Sequence, residues 1–212
     1  ALVFGGDGSI LATARRLAGN PIPVLGVNLG KFGFLTEVQI DEMKVGVQQF
    51  LSGKASLARR MLLDCTIERS GRRIGRFAAL NDAVVTRGAI SRMVHLRILV
   101  GNDEVTRFAG DGLIISTPVG STAHSLSAGG PIVHPDIRAF VMTPICAHTL
   151  SMRPLVIPVD KPITVEVVQR PEEIVLTIDG QVSTYLREGD RVRVGAARKS
   201  FALVQLGRRT YF

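Results

Sequence analysis

The stretch Gly5-Gly6-Asp7-Gly8-Ser9 sets three glycines, one carboxylate and one hydroxyl between an apolar run, Leu2-Val3-Phe4, and a helical pattern. Glycines let a backbone come close to a polyphosphate, and a following helix offers its first N–H groups to the anion. Gly5, Gly6, Gly8 and Ser9 are therefore candidate phosphate contacts. Asp7 does not belong to that chemistry by itself, since a carboxylate repels bare phosphate. It makes sense beside a divalent cation, or facing a hydroxyl that must lose a proton. Alternatively, Asp7 or Ser9 simply caps the helix. As a dinucleotide fingerprint the stretch is incomplete, because Leu11 stands where a third glycine belongs. Gly30-Lys31 does not make a P-loop either, since Phe32 follows in place of Ser or Thr.

Two further stretches carry suitable side chains. In "NDAVVTRG", Asn81 and Asp82 precede an apolar strand and suit ribose hydroxyls or an amide, although the same pair also makes a plain turn. The run from Gly110 to Pro135 holds Asp111, a strand, Gly120-Ser121-Thr122 and a short helix ending at Gly129-Gly130-Pro131. Small hydroxyl side chains at a helix start again suit phosphate or ribose. No G-x-S-x-G occurs, so a nucleophile elbow is not supported. Of the four histidines, His95 reads as structural, His134 as a loop residue and His148 as packing. His124 lies inside the Ser/Thr run. No cluster suggests zinc.

The elements that must position these residues alternate at first. Leu2–Phe4 reads as a short buried strand and Ser9–Ala18 as an amphipathic helix stopped by Gly19-Asn20-Pro21. Pro23–Asn28 reads as a second strand. Asp41 then caps a helix with Met43, Val47, Phe50 and Leu51 on one face and Gly53 past its end. That order implies a parallel sheet. From about residue 58 the texture becomes β-rich. Strands are predicted at Met61–Arg69, His95–Val100, Leu113–Ser116, Ile163–Val168, Ile174–Ile178, Arg191–Val194 and Ala202–Leu206, with turns at Ser70-Gly71, Asp179-Gly180 and Gly189-Asp190. One helix is expected from about Thr122 to Ala128. The fold class is α/β plus all-β. A partial Rossmann-like domain (1–57) precedes a mostly antiparallel β-rich domain (58–206), and residues 207–212 return to the first.

At 212 residues and 46% hydrophobic the chain can form a real core. No apolar run reaches the roughly 18 residues that suggest a membrane span, and no secretory leader is visible. Cys65 and Cys146 match no metal spacing and read as reduced core residues of a cytoplasmic protein. The net charge of +8 favours anionic partners. With no Trp and two Tyr, a stacking platform for nucleic acid is not expected.

Taken in order, "GGDGS", "VNLGKFGFLTEV", "NDAVV", "DGLIISTPVGSTAHSLSAGGPI" and "TPICAHTLSMRPLV" resemble the NAD kinase family over nearly the whole chain. The glycine-acid turn is shared with lipid kinases and phosphofructokinases, whereas the long Ser/Thr block is specific. The resemblance implies a nucleotide site between the two domains, homodimers or homotetramers, and a site partly built by a neighbouring subunit. It also implies an opening segment before Ala1 and a short tail after Phe212. It makes Asp7 the catalytic aspartate, with Gly8 against the nucleotide and Phe34 near adenine. Asn81 and Asp82 match an Asn-acid pair that binds NAD, usually Asn-Glu. Asp111 matches a contact to the nicotinamide amide. Thr122, Ala123, His124, Ser125, Leu126 and Ser127 match a run that contacts NAD across the interface, and Arg92 and Gln181 are further carry-overs. His124 replaces a common Tyr, Ser9 a Thr and Ala147 a Pro.

The implied reaction moves the γ-phosphoryl of ATP, or of polyphosphate, onto the 2′-hydroxyl of the adenosine ribose of NAD. Mg2+ or another divalent cation would be carried on the phosphates, with Asp7 as its candidate protein contact. Such transfers depend on positioning and charge neutralisation. Asp7 would orient the hydroxyl and accept its proton late. Ala109 stands where relatives restricted to NAD often carry Arg, which leaves use of NADH beside NAD open. The competing readings are another glycine-acid-turn kinase acting on a lipid or sugar phosphate, a non-catalytic dinucleotide sensor, and, on charge alone, a nucleic-acid module. Neither a membrane nor a nucleic acid is an expected partner.

Overall fold

A computed structural model of the chain describes residues 1–18, 20–30, 33–88, 92–149, 152–169 and 173–207. They divide into two compact units, the first made of Ala1–Met61 and the stretch from Arg198 onward, the second of Leu62–Ala197.

In the first unit, strand β1 (Leu2–Phe4) leads through helix α1 (Asp7–Arg16) to β2 (Leu25–Asn28), which pairs in parallel with β1 and with β3 (Val38–Gln39). Ile10, Leu11 and Ala14 form the buried stripe of α1, and all four residues of β2 are buried. Helix α2 (Met43–Leu51) lays Met43, Val47 and Phe50 against a core of Leu25, Val27, Val38 and Val204. The expected β-α-β-α order is present. Three local readings change. The strand β1 lies at a sheet edge, so Leu2 and Phe4 are exposed. The helix α1 starts at Asp7 rather than Ser9, with Gly6 at its cap and no side-chain cap bond. Glu42, not Asp41, caps α2, and Leu51 at its last residue is exposed to solvent. Strand β17 (Phe201–Gln205), which its sequence groups with the β-rich segment, pairs antiparallel with β4 (Ser56–Arg60) in this first unit.

The second unit holds two six-stranded antiparallel sheets. Its strands are β5 (Leu63–Arg69), β6 (Arg72–Ala79), β7 (Asp82–Arg87), β8 (Val94–Val100), β9 (Asp103–Gly110), β10 (Gly112–Ser116), β11 (Ala139–Ile145), β12 (Leu155–Pro158), β13 (Ile163–Gln169), β14 (Ile174–Ile178), β15 (Val182–Leu186) and β16 (Arg191–Ala196). A 3-10 turn (Val119–Thr122) and a short helix α3 (His124–Ser127) replace the single helix expected at 122–128. The sheet orders are β12-β11-β10-β7-β14-β15 and β6-β5-β16-β13-β8-β9. In the second sheet alternate residues such as Leu63, Cys65 and Ile67, or Ile163, Val165 and Val167, are buried, the period-2 signature of a sheet wet on one face. Strands β10 and most of β7 and β11 are buried on both faces. Of the strands that sequence reading does not place, β6, β9, β12 and β15 are the four sheet edges. Polar residues in β6, β9 and β15, which blunt pairing with other chains, hide those three from an apolar pattern, whereas β12 is an apolar strand of only four residues. The central strand β11 is masked by Pro144.

On the wet face of the second sheet, Arg107, Glu104, Arg97, Glu166 and Arg191 form a chain of ion pairs. The two arginines beside Glu104 hold its carboxyl down at about 2, yet exposed pairs of this kind add little to stability. The pair between Arg69 and Asp190 is different. Asp190 is fully buried, accepts Nε and a terminal nitrogen of Arg69 at 2.8 and 2.7 Å, and accepts the Arg187 amide at 2.8 Å. Burial alone would raise its carboxyl, but the Arg69 and Arg187 hydrogen bonds and the Arg69 charge outweigh burial and hold it below the usual range. A carboxylate with a depressed folded pKa contributes stability above its unfolded value and loses it as pH falls through the folded one. Asp190→Asn is therefore expected to lower the unfolding free energy by about 2 kcal/mol at pH 7, with the gap closing below about pH 4. Urea unfolding of both proteins at several pH values measures this, and a pH-independent gap would contradict it.

Candidate active site

At the glycine-acid turn, the Gly5 N–H donates to Val27 O at 3.0 Å and ties the turn to the end of β2. Asp7 is the first residue of α1. Its carboxylate does not cap that helix. Oδ2 accepts the Phe34 N–H at 2.8 Å and Oδ1 accepts the Leu35 N–H at 2.9 Å. Two amides from one loop thus fix the carboxylate plane, and each oxygen keeps lone-pair capacity for another donor. The neighbouring Gly33 is needed for this approach, because a Cβ there would lie 2.1 to 2.4 Å from the Asp7 carboxyl atoms. Gly6, by contrast, has open space where a Cβ would stand, and Gly8 is exposed on the first turn of the helix. Ser9, half-buried, offers its carbonyl to Thr13. The side chain of Phe34 is 71% exposed. Lys31 and Phe32 lie outside the described residues.

In the second unit the predicted residues gather at the two ends of β7. At its start, Thr117 N–H donates to Asn81 O at 2.8 Å, and the Thr117 hydroxyl donates to Leu80 O at 2.6 Å and accepts Gly120 N–H at 3.0 Å. Gly120 lies so close to Asn81 that a Cβ would stand 2.2 Å from the Asn81 carbonyl oxygen. The Ser/Thr run is thereby seated beside the Asn-acid pair. Its hydroxyls divide by burial. Ser121, fully buried, accepts Val133 N–H at 3.0 Å, and Ser125, also fully buried, shares a hydrogen bond of 2.8 Å with Thr143. These two hold the turn together. Thr122 and Ala123 are half-buried, and His124, Leu126 and Ser127 are exposed. Those five are at least partly exposed, whereas the Ser125 hydroxyl is buried against Thr143.

Asp82 is 4% exposed, and desolvation first, then the charge of Asp179, push its carboxyl up to about 7. The oxygen Oδ1 of Asn81 is buried with no hydrogen-bond partner, as is the hydroxyl of Ser116, which lies opposite Asp82 in the β7–β10 register. Sequence reading marks Asp179 only as a turn residue and Ser116 only as the end of a strand, and gives Thr117 no role. Gln181 is exposed in the turn that Asp179 opens.

At the far end of β7, Arg87 Nε donates to Asp111 Oδ1 at 2.6 Å. That hydrogen bond, with the Arg87 charge, holds the Asp111 carboxyl below the usual range against partial burial. Cys146 and His148 also act on Asp111, and Cys146 to Thr149 line an open hollow of about 480 Å³ beside it. Cys146 is exposed, with a backbone φ of 46°, and so is not the core residue that its sequence suggested; Cys65 is, and burial pushes its thiol up to about 12. Both thiols are free. Arg92 is exposed just before β8. Asp111 and Asp82 are separated by the length of β7, roughly 17 Å at about 3.3 Å per residue.

Among the described residues no group of three His, Cys, Asp or Glu side chains could hold a metal ion. A hard cation that brings its own phosphate oxygens and water needs only one or two carboxylates, and Asp7 is a carboxylate of that kind. No helix among the described residues is long and apolar enough to cross a membrane.

Residues 1–55 match the family model of the ATP-NAD kinase N-terminal domain, and residues 80–206 match that of the ATP-NAD kinase C-terminal domain. The chain is 45% identical over its full length to an NAD kinase of Geobacter metallireducens, spanning 75% of that protein, and 46% identical over 196 residues to one of Desulforamulus reducens, spanning 68% of it. Among solved structures, yeast NADH kinase in complex with NADH superposes with a TM-score of 0.90 at 33% identity, over 99% of this chain and 61% of the yeast chain. An NAD kinase from Archaeoglobus fulgidus in complex with ATP gives a TM-score of 0.83 at 26% identity, over 98% of this chain and 78% of that one. The chain belongs to the NAD kinase family.

Proposed function

We propose that Asp7 and the pair Asn81–Asp82 carry, in this chain, the phosphorylation of NAD that defines the family: the γ-phosphoryl of ATP or of polyphosphate passes to the 2′-hydroxyl of the adenosine ribose. The observation that carries this reading is the fixed carboxylate of Asp7. Two amides and the bare Cα of Gly33 hold it at the first turn of α1, where the helix N-terminus favours anions. A carboxylate so oriented accepts a hydrogen bond from a hydroxyl and takes its proton late in a loose transfer. Positioning supplies most of the remaining acceleration. A divalent cation such as Mg2+ would neutralise phosphate charge, with Asp7 as the protein carboxylate open to it. Gly5, Gly6, Gly8 and Ser9 approach the phosphates, and Phe34, largely exposed, offers a ring to adenine.

Asn81 Oδ1 and the Asp82 carboxyl have no hydrogen-bond partner among the described residues, which suits ribose hydroxyls and an exocyclic amine. Thr122, Ala123, His124, Leu126 and Ser127 flank them, with Gln181 and Arg92 at the periphery. Asp111 stands at the other end of β7, which supports a homodimer or homotetramer in which a second copy completes each NAD site. Small Ala109, together with the likeness to an NADH-bound kinase, supports use of NADH as well. The free thiols support a cytoplasmic protein, with neither nucleic acid nor membrane as a partner.

Both oxygens of Asp7 accept amide protons, so Asn at this position must turn its NH2 against one of them. Asp7→Asn is expected to lower kcat by roughly 10²-fold or more while calorimetry still detects NAD binding; retention of a tenth of wild-type turnover would rule out the proton-accepting role. Gly33→Ala, which leaves Asp7 in place but pushes its carboxyl aside, is expected to lower kcat in a coupled NADP assay by a comparable factor.

A donor-bearing ligand prefers the ionised form of Asp82. The KM for NAD is therefore expected to fall as pH rises through about 7, and Asp82→Asn should flatten that profile. A KM for NAD unchanged in Asp82→Asn at every pH would remove Asp82 from the NAD site.

A further inference from the structure

Asp179 is 6% exposed in the turn after β14, with a backbone φ of 50°. Its carboxylate collects three successive amides from a segment about a hundred positions away. Oδ1 accepts Asn81 N–H at 2.7 Å and Asp82 N–H at 3.2 Å, and Oδ2 accepts Leu80 N–H at 3.2 Å. Its own N–H donates to Asp82 O at 2.9 Å. A plain turn needs none of these bonds. The backbone they pin carries polar groups that the protein leaves unmatched. Asn81 Oδ1 and the neighbouring Ser116 hydroxyl are buried without partners, and nothing among the described residues hydrogen-bonds the Asp82 carboxyl. Buried polar atoms of this kind are rare unless a ligand or water completes them.

We propose that Asp179 is a positioning residue for the dinucleotide: by gripping the amides of 80–82 it aims Asn81 and Asp82 as a floor of acceptors, with the Ser116 hydroxyl beside them, for the hydroxyl and amine donors of the adenosine half of NAD. The inference rests on the reading of Asn81–Asp82 as NAD contacts. Charge adds a second consequence, because the field of the Asp179 carboxylate opposes ionisation of Asp82. Among the described residues the remaining elements bring no opposing charge to Asp82: β10 presents Ser116 opposite it, β14 pairs Ile178 with the adjacent Ala83, and β5 buries Leu63, Cys65 and Ile67, with burial pushing the Cys65 thiol up to about 12.

The test is steady-state kinetics of Asp179→Asn and Asp179→Gly on the full chain, beside Asp82→Asn. Asn and Gly both tolerate the left-handed backbone, and Asn keeps one acceptor where Gly keeps none. The expected result is a graded rise in KM for NAD, roughly tenfold for Asn and more for Gly on the scale of lost charge-assisted hydrogen bonds. KM for ATP should be unchanged, and kcat at saturating NAD should remain within about threefold. In Asp179→Asn the pH midpoint of kcat/KM for NAD should move below that of the wild type. A purely structural turn would not produce that shift. Equal losses in kcat and in both KM values, or an unmoved midpoint, would overturn the proposal, as would a wild-type profile with no step near pH 7. If Asp82→Asn raises KM for NAD and the Asp179 variants do not, the positioning role alone fails. If none of the three changes it, the NAD reading of the pair fails with it.

Discussion

A carboxylate held in one orientation must be matched by hydrogen-bond donors, and in this chain backbone amides supply them at two decisive places. Asp7 takes Phe34 and Leu35. Asp179 takes Leu80, Asn81 and Asp82. In each case the side chain belongs to one element and the amides to a loop or strand start far away in sequence. Each carboxylate therefore does two things at once: it satisfies its own charge, and it fixes irregular backbone that has no sheet or helix to hold it. Glycine takes part in the first, since Gly33 has no Cβ to block Asp7.

The scaffolds are built to make such fixing worthwhile. Strand β7 is almost wholly buried between β10 and β14, so its ends are the places where the chain can turn polar groups toward a ligand. Both ends do so, with Asn81 and Asp82 at one and Arg87 with Asp111 at the other. The two acids meet opposite fates. Arg87 holds Asp111 ionised. Asp82 has burial and a like charge against it. An acid of firm charge thus stands beside one end of the strand, and at the other end burial and Asp179 push the Asp82 carboxyl up to about 7. The Ser/Thr run shows the same division of labour. Its buried hydroxyls, Ser121 and Ser125, are used up internally, which leaves its exposed members for recognition.

How far this was legible in the sequence depended on the kind of signal. Apolar patterning located both long helices and the buried middle strands of the sheets except β11, which Pro144 hides. It missed the four edge strands of the second unit, three of them because an edge is kept polar to stay single and β12 because it is only four residues long. It also placed Leu51 on a buried face and Cys146 in the core, where type alone suggested burial and the local chain end or turn exposed them. The motifs named Asp7, Asn81, Asp82 and Asp111 because residue types at fixed order carry chemistry independent of packing.

The sequence by itself determined the family, the α/β-then-β order and the acid at the glycine turn, since these are properties of local spacing and side-chain type. Tertiary structure alone decided what each acid faces. No spacing could show that Asp7 is held by amides rather than capping α1, that Ser125 is spent on Thr143, or that Asp179 reaches back about a hundred residues to Asn81. Those facts arise from tertiary packing that brings distant segments side by side, and from burial, which forces every polar atom it encloses to find a partner or await one.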